Sequence, residues 1–256
     1  IRRDGNKDFL GECPWIICEV EMKVIGKEIG NDLNQLFGQI ESRVKSEMQR
    51  EIKFEGFEGE TLSSVIWEEH EIKIRLHTGA PTHALPGIIG VALQHIRQRL
   101  DRFPTVRRIQ QDIEGGAMVR DALRELILGP EASEKLAPLT LDNEWQNEQR
   151  HQGLKLFLRD APPEFNEVGA PGNAFASLLF ARYSIEHPEK MWAPLEKQFQ
   201  NELPAAAENG KAVYELISST GWGTAGAALE SMILARDELN LQNYAGVEDR
   251  LKGEIL

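Results

Sequence analysis

The sequence predicts a mixed α+β or α/β protein, in which an N-terminal segment with a mixed sheet precedes a mainly α-helical bundle. Before Pro104, short apolar runs alternate with polar residues at a period of two, which is typical of strands. After Pro104, apolar residues recur at intervals of three and four, which is typical of helices that bury one face. This change of period predicts two domains, residues 1–103 and 104–256, with a boundary near residues 103–105.

The composition is that of a globular protein. Its 256 residues are 41% hydrophobic and 27% charged, and a chain of this length can bury a core without disulfides or metals. Apolar runs stay well short of the roughly 18 residues that a membrane span needs, so we expect no membrane partner. The net charge of -12 and the pI near 5.1 argue against a protein that coats nucleic acid through bulk positive charge. They leave room for an enzyme that meets phosphates through a local basic strip and a metal ion.

The two cysteines, Cys13 and Cys18, predict the compartment. If both lie on one strand, their odd spacing places them on opposite faces, so they should not form a disulfide. Unpaired cysteines indicate reducing conditions, and we expect a cytoplasmic protein. The sequence starts at Ile1 without an initiator Met or a signal-like stretch, so we also expect a processed or incomplete N-terminus.

The first predicted elements are a strand and a helix. Residues 15–24 alternate at period two, with an apolar face and a second face that ends in Glu19, Glu21 and Lys23. Apolar residues spaced by three and four then predict a helix of about five turns over residues 33–48. Further strands are predicted at 52–54, 65–67 and 72–76, and a helix at Leu85–Leu100.

The rest of the chain predicts helices. Val106, Ile109 and Ile113 indicate a short helix that Gly115-Gly116 ends, and a second helix over 117–128 should stop at Gly129-Pro130. Five more helices are predicted over residues 143–159, 173–185, 189–202, 205–219 and 224–239.

The charged end of the first strand carries residues suited to phosphodiester hydrolysis. That reaction needs a nucleophilic water and neutralisation of the phosphate charge, which Mg²⁺ held by carboxylates provides. Glu21 and Lys23 project from one strand face about 7 Å apart. Asp8 or Asp4, in the preceding turn or strand, can come alongside as a second metal ligand. Glu19 shares the strand face, so either Glu19 or Glu21 is the ligand on the strand.

This arrangement resembles the PD-(D/E)xK nuclease superfamily, in which an Asp is followed by (D/E)-x-K on the next strand. The matching residues are Asp8 and Glu21-Met22-Lys23, and the next helix carries Gln35, where family members commonly have a polar side chain. The resemblance covers residues 3–46 and looks most like the restriction- and phage-defence-type branches. It implies a nuclease-like N-terminal domain and an endonuclease that acts on DNA with Mg²⁺ (or Mn²⁺) bound by Asp8 and Glu21. In that mechanism Lys23 lies beside the attacking water and Gln35 supports the site.

One concentration of basic residues in this acidic chain begins in the last turn of the predicted helix Leu85–Leu100 and continues just after it. We expect this band to contact the phosphates of nucleic acid. The alternative is that these arginines pair with surface carboxylates. The residues are Arg97, Arg99, Arg102, Arg107 and Arg108.

Two other functions are left open. One is a non-catalytic helical adaptor with an inactive nuclease-like fold, whose helical half binds a partner protein or a second copy of the chain. The other is a degenerate zinc peptidase, because His70, His77, His83 and His95 lie close together in sequence. The helix around His95 lacks the second His and the Glu of a zinc-binding HExxH motif, so we expect His95 to be a packing residue with a hydrogen-bond partner.

Overall fold

The structure is a computed structural model that describes residues 23–59, 61–109 and 114–256. Its strands are β1 (Lys23–Val24), β2 (Lys27–Glu28), β3 (Glu51–Phe57), β4 (Ser63–Trp67), β5 (Glu71–His77), β6 (Thr105–Arg107), β7 (Gly246–Asp249) and β8 (Glu254–Ile255). Its α-helices are α1 (Asn34–Arg43), α2 (Leu85–Leu100), α3 (Gly116–Leu136), α4 (Glu144–Asp160), α5 (Pro171–Glu186), α6 (Glu189–Glu202), α7 (Pro204–Thr220) and α8 (Ala225–Glu238). Strands that precede a helical bundle confirm the predicted mixed fold class.

A small hairpin and a helix open the described chain. β1 and β2 pair antiparallel, and Val24 on β1 is buried in the core. α1 follows and is extended by a π-helical turn, Val44–Met48, which ends at Gln49 in the left-handed conformation. The helix predicted over 33–48 is confirmed. Of the strand predicted over 15–24, only its last two residues lie within the described part of the chain.

A three-stranded mixed sheet forms the centre of the N-terminal part. Its order is β3-β5-β4, with β3 parallel and β4 antiparallel to the central β5. Ile72, Ile74 and Leu76 on β5 are fully buried, whereas the residues between them are half-buried. This alternation is the period-two pattern that predicted the strand. The buried face packs with α1 and α2 into one hydrophobic core.

Residues 105–107 form a strand, so the helix predicted from Val106, Ile109 and Ile113 is wrong there. Residues 110–113 lie outside the described residues. β6 pairs antiparallel with β7, and β7 pairs with β8, in a second small sheet. The partners are far apart in sequence, since Arg107 and Glu248 are separated by 141 positions. Local periodicity cannot reveal such a pairing, because the backbone hydrogen bonds of β6 come from the other end of the chain.

α3 runs through Gly129 and Pro130 to Leu136, so the predicted stop at these two residues is wrong. A proline inside a helix normally costs about 3 kcal/mol, because it lacks an N–H and its ring meets the preceding turn. The proline ring also disfavours the helical conformation of the preceding residue, in part through a clash with the Cβ of that residue. Gly129, which precedes Pro130, has no Cβ. Gly129 also lets α5 approach, since a Cβ there would overlap Glu186 Oε1 and lie 3.1 Å from Arg182 Nη2. Close packing against α5 therefore accompanies the continuous helix.

The remaining helices follow the prediction and enclose two further cores. α3, α5, α7 and α8 surround one core, together with β7. α4, α5, α6 and α7 surround the other. The core of the N-terminal part ends at Leu100 and the next one begins at Phe103, beside the position where the sequence changes period. A division into two domains there stays a prediction. Over the described ranges, none of the helices combines the length and the apolar character needed to cross a membrane.

Replacing Gly129 with Ala should destabilise the protein by about 1–3 kcal/mol, the usual cost of overpacking a core. The added Cβ would overlap Glu186 Oε1 and would also restrict the residue before Pro130. The free energy of unfolding in urea measures the effect. The matched control is Gly153→Ala in α4, where a Cβ meets open space; this change should be neutral or stabilising by up to about 1 kcal/mol. Equal stability of the two variants would contradict the packing role of Gly129.

Candidate nucleic-acid interface

The predicted catalytic residues are only partly within the described chain. Asp4, Asp8, Glu19 and Glu21 lie outside the described residues. Lys23 lies on β1, is exposed, and forms an ion pair of 2.8 Å with its cross-strand partner Glu28. A carboxylate therefore lies beside the predicted catalytic lysine.

The hairpin that carries Lys23 is attached to the core. Lys27 Nζ on β2 donates a hydrogen bond of 2.6 Å to the Ala80 carbonyl after β5, and Val24 and Ile29 are buried. Gln35 is exposed in the first turn of α1. Lys23 thus lies on the first hairpin and Gln35 on the helix that follows it, and both side chains are exposed. Their predicted convergence with Asp8 and Glu21 stays a prediction.

The described histidines show no zinc-site geometry. Within residues 23–59, 61–109 and 114–256, no three or more His, Cys, Asp or Glu side chains are grouped as metal ligands would be. His95 Nδ1 is 2.8 Å from Gln98 Oε1, and His95 Nε2 is 3.7 Å from Glu125. The expected packing role of His95, with a hydrogen-bond partner, is confirmed.

Arg97 is engaged by carboxylates inside the protein. Its guanidinium binds Asp101 at 2.8 Å and also pairs with Glu131 of α3, whose side chain is completely buried. Gln98 donates to the same Glu131 oxygen at 2.7 Å and to the Leu128 carbonyl at 2.8 Å. Breaking a buried pair leaves an uncompensated charge and is strongly destabilising. Arg97 therefore follows the alternative interpretation of the basic band: it links α2 to α3 through carboxylates.

Arg99 differs from Arg97 although it lies only two residues further along α2. Its guanidinium stacks 3.9 Å above the Trp67 ring at the end of β4. It makes no hydrogen bond or ion pair with any residue that the structure describes. Burial lowers the pKa of the Arg99 guanidinium, and the nearby positive charges of Arg50 and Arg107 lower it further. This half-buried cation therefore has no ion-pair partner among the described residues, although the charge of Glu248 acts on it.

Two arginines that the sequence reasoning missed lie beside it. Arg250 follows β7 directly and also makes no hydrogen bond or ion pair with a described residue. Burial and the charge of Arg99 lower the pKa of Arg250 to about 10, even though Glu248 is near. Arg50 precedes β3, and its Nε donates to the Glu69 carbonyl at 3.1 Å. These residues come from opposite ends of the chain, so no local signal in the sequence connects them.

The other members of the predicted basic band are on the surface. Arg107, at the end of β6, forms an exposed ion pair of 2.6 Å with Glu248 of β7. Arg102 and Arg108 are exposed. We refer to Arg50, Arg99, Arg107 and Arg250 as the arginine cluster. Among the residues that the structure describes, Glu248 pairs with Arg107 and is the carboxylate whose charge acts on Arg99 and Arg250.

A second charged network lies between α3, α4 and α5, and its charges are matched. Arg182 Nε donates to Glu186 Oε2 at 3.0 Å, and Arg150 reaches the same oxygen at 3.4 Å. Burial raises the pKa of the Glu125 carboxyl, but the surrounding positive charges, including that of Arg182, lower it to about 2. Two cavities of about 100 and 140 Å³ share Arg150 and Glu186 in their walls. The second Glu186 oxygen lies against Gly129, out of reach of solvent. This network fits a role in helix packing.

Two histidines join α4 to the end of α5. His151 Nδ1 and His187 Nε2 are 3.2 Å apart, and the two rings are nearly parallel, at 9°. Both residues are buried, and burial lowers the pKa of each imidazole. One neutral ring donates to the other, an arrangement that two protonated rings cannot form.

The arginine cluster is suited to binding an anion. Guanidinium groups form charge-assisted, often bidentate hydrogen bonds with phosphate oxygens, and the cluster has more cations than its own carboxylate neutralises. Models of protein families, curated proteins and solved structures give no match to this chain. Its function is therefore inferred from its own residues and their geometry.

Neighbouring arginines on α2 should respond differently to substitution. Arg97→Met should lower the free energy of unfolding by about 3–5 kcal/mol, because Glu131 is left buried without its cation. Arg99→Met should change it by about 1 kcal/mol or less, since only the contact with Trp67 is lost. Urea denaturation measures both. A large loss of stability in the Arg99 variant would show that this arginine is structural.

The histidine pair should make stability fall with acid. The folded-state pKa of each ring lies below the ordinary value of 6.5, so the unfolded chain binds more protons just below that pH. The stability from the neutral pair is therefore complete above about pH 6.5 and is lost as the pH falls below it. We expect unfolding free energies at pH 7.5 and 5.5 to differ more for the wild type than for a His151→Gln/His187→Gln variant. The control His83→Gln, at an exposed site, should behave like the wild type. An equal change in unfolding free energy between the two pH values for all three proteins would show that the histidine pair does not cause the acid sensitivity.

Proposed function

We propose that this chain is a metal-dependent endonuclease that hydrolyses phosphodiester bonds of DNA. The observation that carries the proposal is the arginine cluster, in which, among the described residues, Arg107 is paired with Glu248 and Arg99 and Arg250 have no ion-pair partner, in a chain of net charge -12. A nuclease has to hold a polyanion against the repulsion of its own acidic surface. Local positive charge attracts phosphates even when the whole protein is negative.

The selective pairing of the arginines supports this assignment. Arg97 is neutralised by Asp101 and by the buried Glu131. Arg99 and Arg250 have no such partner among the described residues. Half-buried cations without counterions cost stability, and a bound phosphate would compensate them. Phosphate contacts of this kind position a nucleic acid without reading its sequence.

The catalytic part of the proposal rests on the resemblance of Asp8 and Glu21-Met22-Lys23 to the PD-(D/E)xK motif. Asp8, with Glu21 or Glu19, would hold Mg²⁺ or Mn²⁺, which when bound neutralises phosphate charge and acidifies a water molecule. Lys23 would orient the attacking water, and Gln35 would support it. The Lys23 side chain is largely exposed on the first hairpin, where it pairs with Glu28. A restriction or phage-defence setting in the cytoplasm belongs to the same proposal.

Cleavage of covalently closed circular DNA tests the function. We expect Mg²⁺-dependent nicking or linearisation by the wild type, with a loss of at least about 100-fold in Lys23→Ala and in Glu21→Ala, as is usual when one group that stabilises the transition state is removed. Lys23→Ala should stay folded, because its ion pair with Glu28 is exposed and such pairs contribute at most about 1 kcal/mol.

The matched controls are Lys45→Ala and Glu41→Ala, which remove the same charges from exposed positions on and just after α1. Both should cleave like the wild type. Unchanged cleavage by Lys23→Ala and Glu21→Ala would overturn the catalytic assignment. Binding of DNA without any Mg²⁺- or Mn²⁺-dependent cleavage would support the non-catalytic adaptor instead.

A further inference from the structure

The arginine cluster is built from four separate segments of the chain. Arg50 precedes β3, Arg99 lies in the last turn of α2, Arg107 ends β6, and Arg250 follows β7. The β6–β7 pairing places Arg107 opposite Gly246 and Thr105 opposite Glu248. Arg250 is therefore brought back to the end of α2 by contacts that span most of the sequence. The positive charges are therefore gathered from several segments and do not form a row along one helix.

The positions of two members are held by neighbouring groups. The Arg99 guanidinium lies on the Trp67 ring at 3.9 Å, and Arg50 Nε is bonded to the Glu69 carbonyl at 3.1 Å in the turn that follows Trp67. The Trp67 face and this carbonyl orient the cations without neutralising them. An oriented guanidinium loses less freedom when it binds a ligand.

We infer that the arginine cluster is a binding site for a phosphomonoester, the doubly ionised phosphate at the end of a nucleic-acid strand or on a small molecule. This inference rests on the proposed function for the choice of a nucleic acid as the carrier of the phosphate. The phosphate itself follows from the cluster. A monoester carries about -1.5 to -2 charges at neutral pH and offers three strong acceptor oxygens, whereas a backbone phosphodiester carries one charge.

The charge balance favours the monoester. Glu248 neutralises one cation, through its 2.6 Å ion pair with Arg107. Arg50, Arg99 and Arg250 remain, and one phosphodiester compensates less of their charge than one monoester does, so backbone phosphates bind at the same cluster but more weakly. Burial, and after it the charge of Arg99, lowers the pKa of Arg250 to about 10. At that value Arg250 is still charged at neutral pH. A doubly charged phosphate relieves the repulsion at one point.

Isothermal titration calorimetry in low salt and without metal tests the inference. The probes are one single-stranded DNA oligonucleotide with a 5′-phosphate, the same strand with a 3′-phosphate, and the same strand with hydroxyl ends. We expect at least one phosphorylated strand to bind about tenfold or more tightly than the hydroxyl strand. Equal binding of all three strands would overturn the inference.

Inorganic phosphate and ribose 5-phosphate distinguish the two carriers. If the phosphorylated strand binds at least about tenfold more tightly than ribose 5-phosphate, the site takes a strand end; similar affinities would assign it to a small phosphorylated molecule. Both outcomes support the phosphomonoester site. Failure of inorganic phosphate and ribose 5-phosphate to compete with the phosphorylated strand would contradict it.

Variants connect the affinity to the cluster. Arg99→Gln and Arg250→Gln should each remove most of the preference for the phosphorylated strand. Arg250→Lys should keep part of it, because it retains the charge but not the fork of donors. The matched control is Arg159→Gln, at an exposed arginine of α4 that pairs with Asp160, and it should bind like the wild type. A preference that survives in both glutamine variants would place the phosphate elsewhere.

This test is independent of the cleavage test, because circular DNA has no strand ends. A protein that cleaves circles but does not prefer phosphorylated ends would keep the proposed function and lose this inference. A protein that prefers phosphorylated ends but does not cleave would keep the site and lose the endonuclease. Circular dichroism confirms that each variant is folded before its binding and cleavage are measured.

Discussion

The pairing of β6 with β7 is the interaction on which the candidate interface depends. It joins residues just after α2 to residues near the C-terminal end of the described chain, with Val106 opposite Val247. Val247 is completely buried in the core formed by α3, α5, α7 and α8. The hydrophobic contact that holds this strand therefore also fixes the positions of Arg107, Glu248 and Arg250 beside α2. Without the pairing, Arg107 and Arg250 would not be held near Arg99.

The buried and half-buried charges of the protein fall into two groups that differ in their pairing. In the network of α3, α4 and α5, Glu125 and Glu186 face Arg150 and Arg182, so each cation has a nearby carboxylate. Such networks cost desolvation and are stable only when each charge is paired. In the arginine cluster, Glu248 pairs with Arg107, and Arg99 and Arg250 have no ion pair with a described residue, although the chain as a whole has an excess of acids. An acidic protein with an uncompensated basic site can bind an anion locally and remain repelled by polyanions elsewhere.

The sequence predicted those elements whose apolar residues repeat locally, such as α2 and β5, because a core-facing stripe repeats with the period of the backbone. It failed at β6, where partners lie 141 positions apart, and at Gly129-Pro130, where packing of α5 overrides a normal helix stop. At the interface, Arg99 and Arg107 were predicted as phosphate contacts, but Arg50 and Arg250 were not. Their proximity follows only from tertiary structure. Nor did the sequence separate Arg97 from Arg99, since the buried Glu131 that distinguishes them lies on another helix.

The central claim is that the cluster holds a phosphate while other arginines hold the fold. Nuclear magnetic resonance of the arginine Nε–Hε groups, recorded while inorganic phosphate is added, tests it directly. We expect the signals of Arg99 and Arg250 to shift with one common dissociation constant. Those of Arg97 and Arg182, already bound to carboxylates, should stay in place. Shifts of similar size in exposed arginines such as Arg159, or no shift in Arg99 and Arg250, would contradict the account.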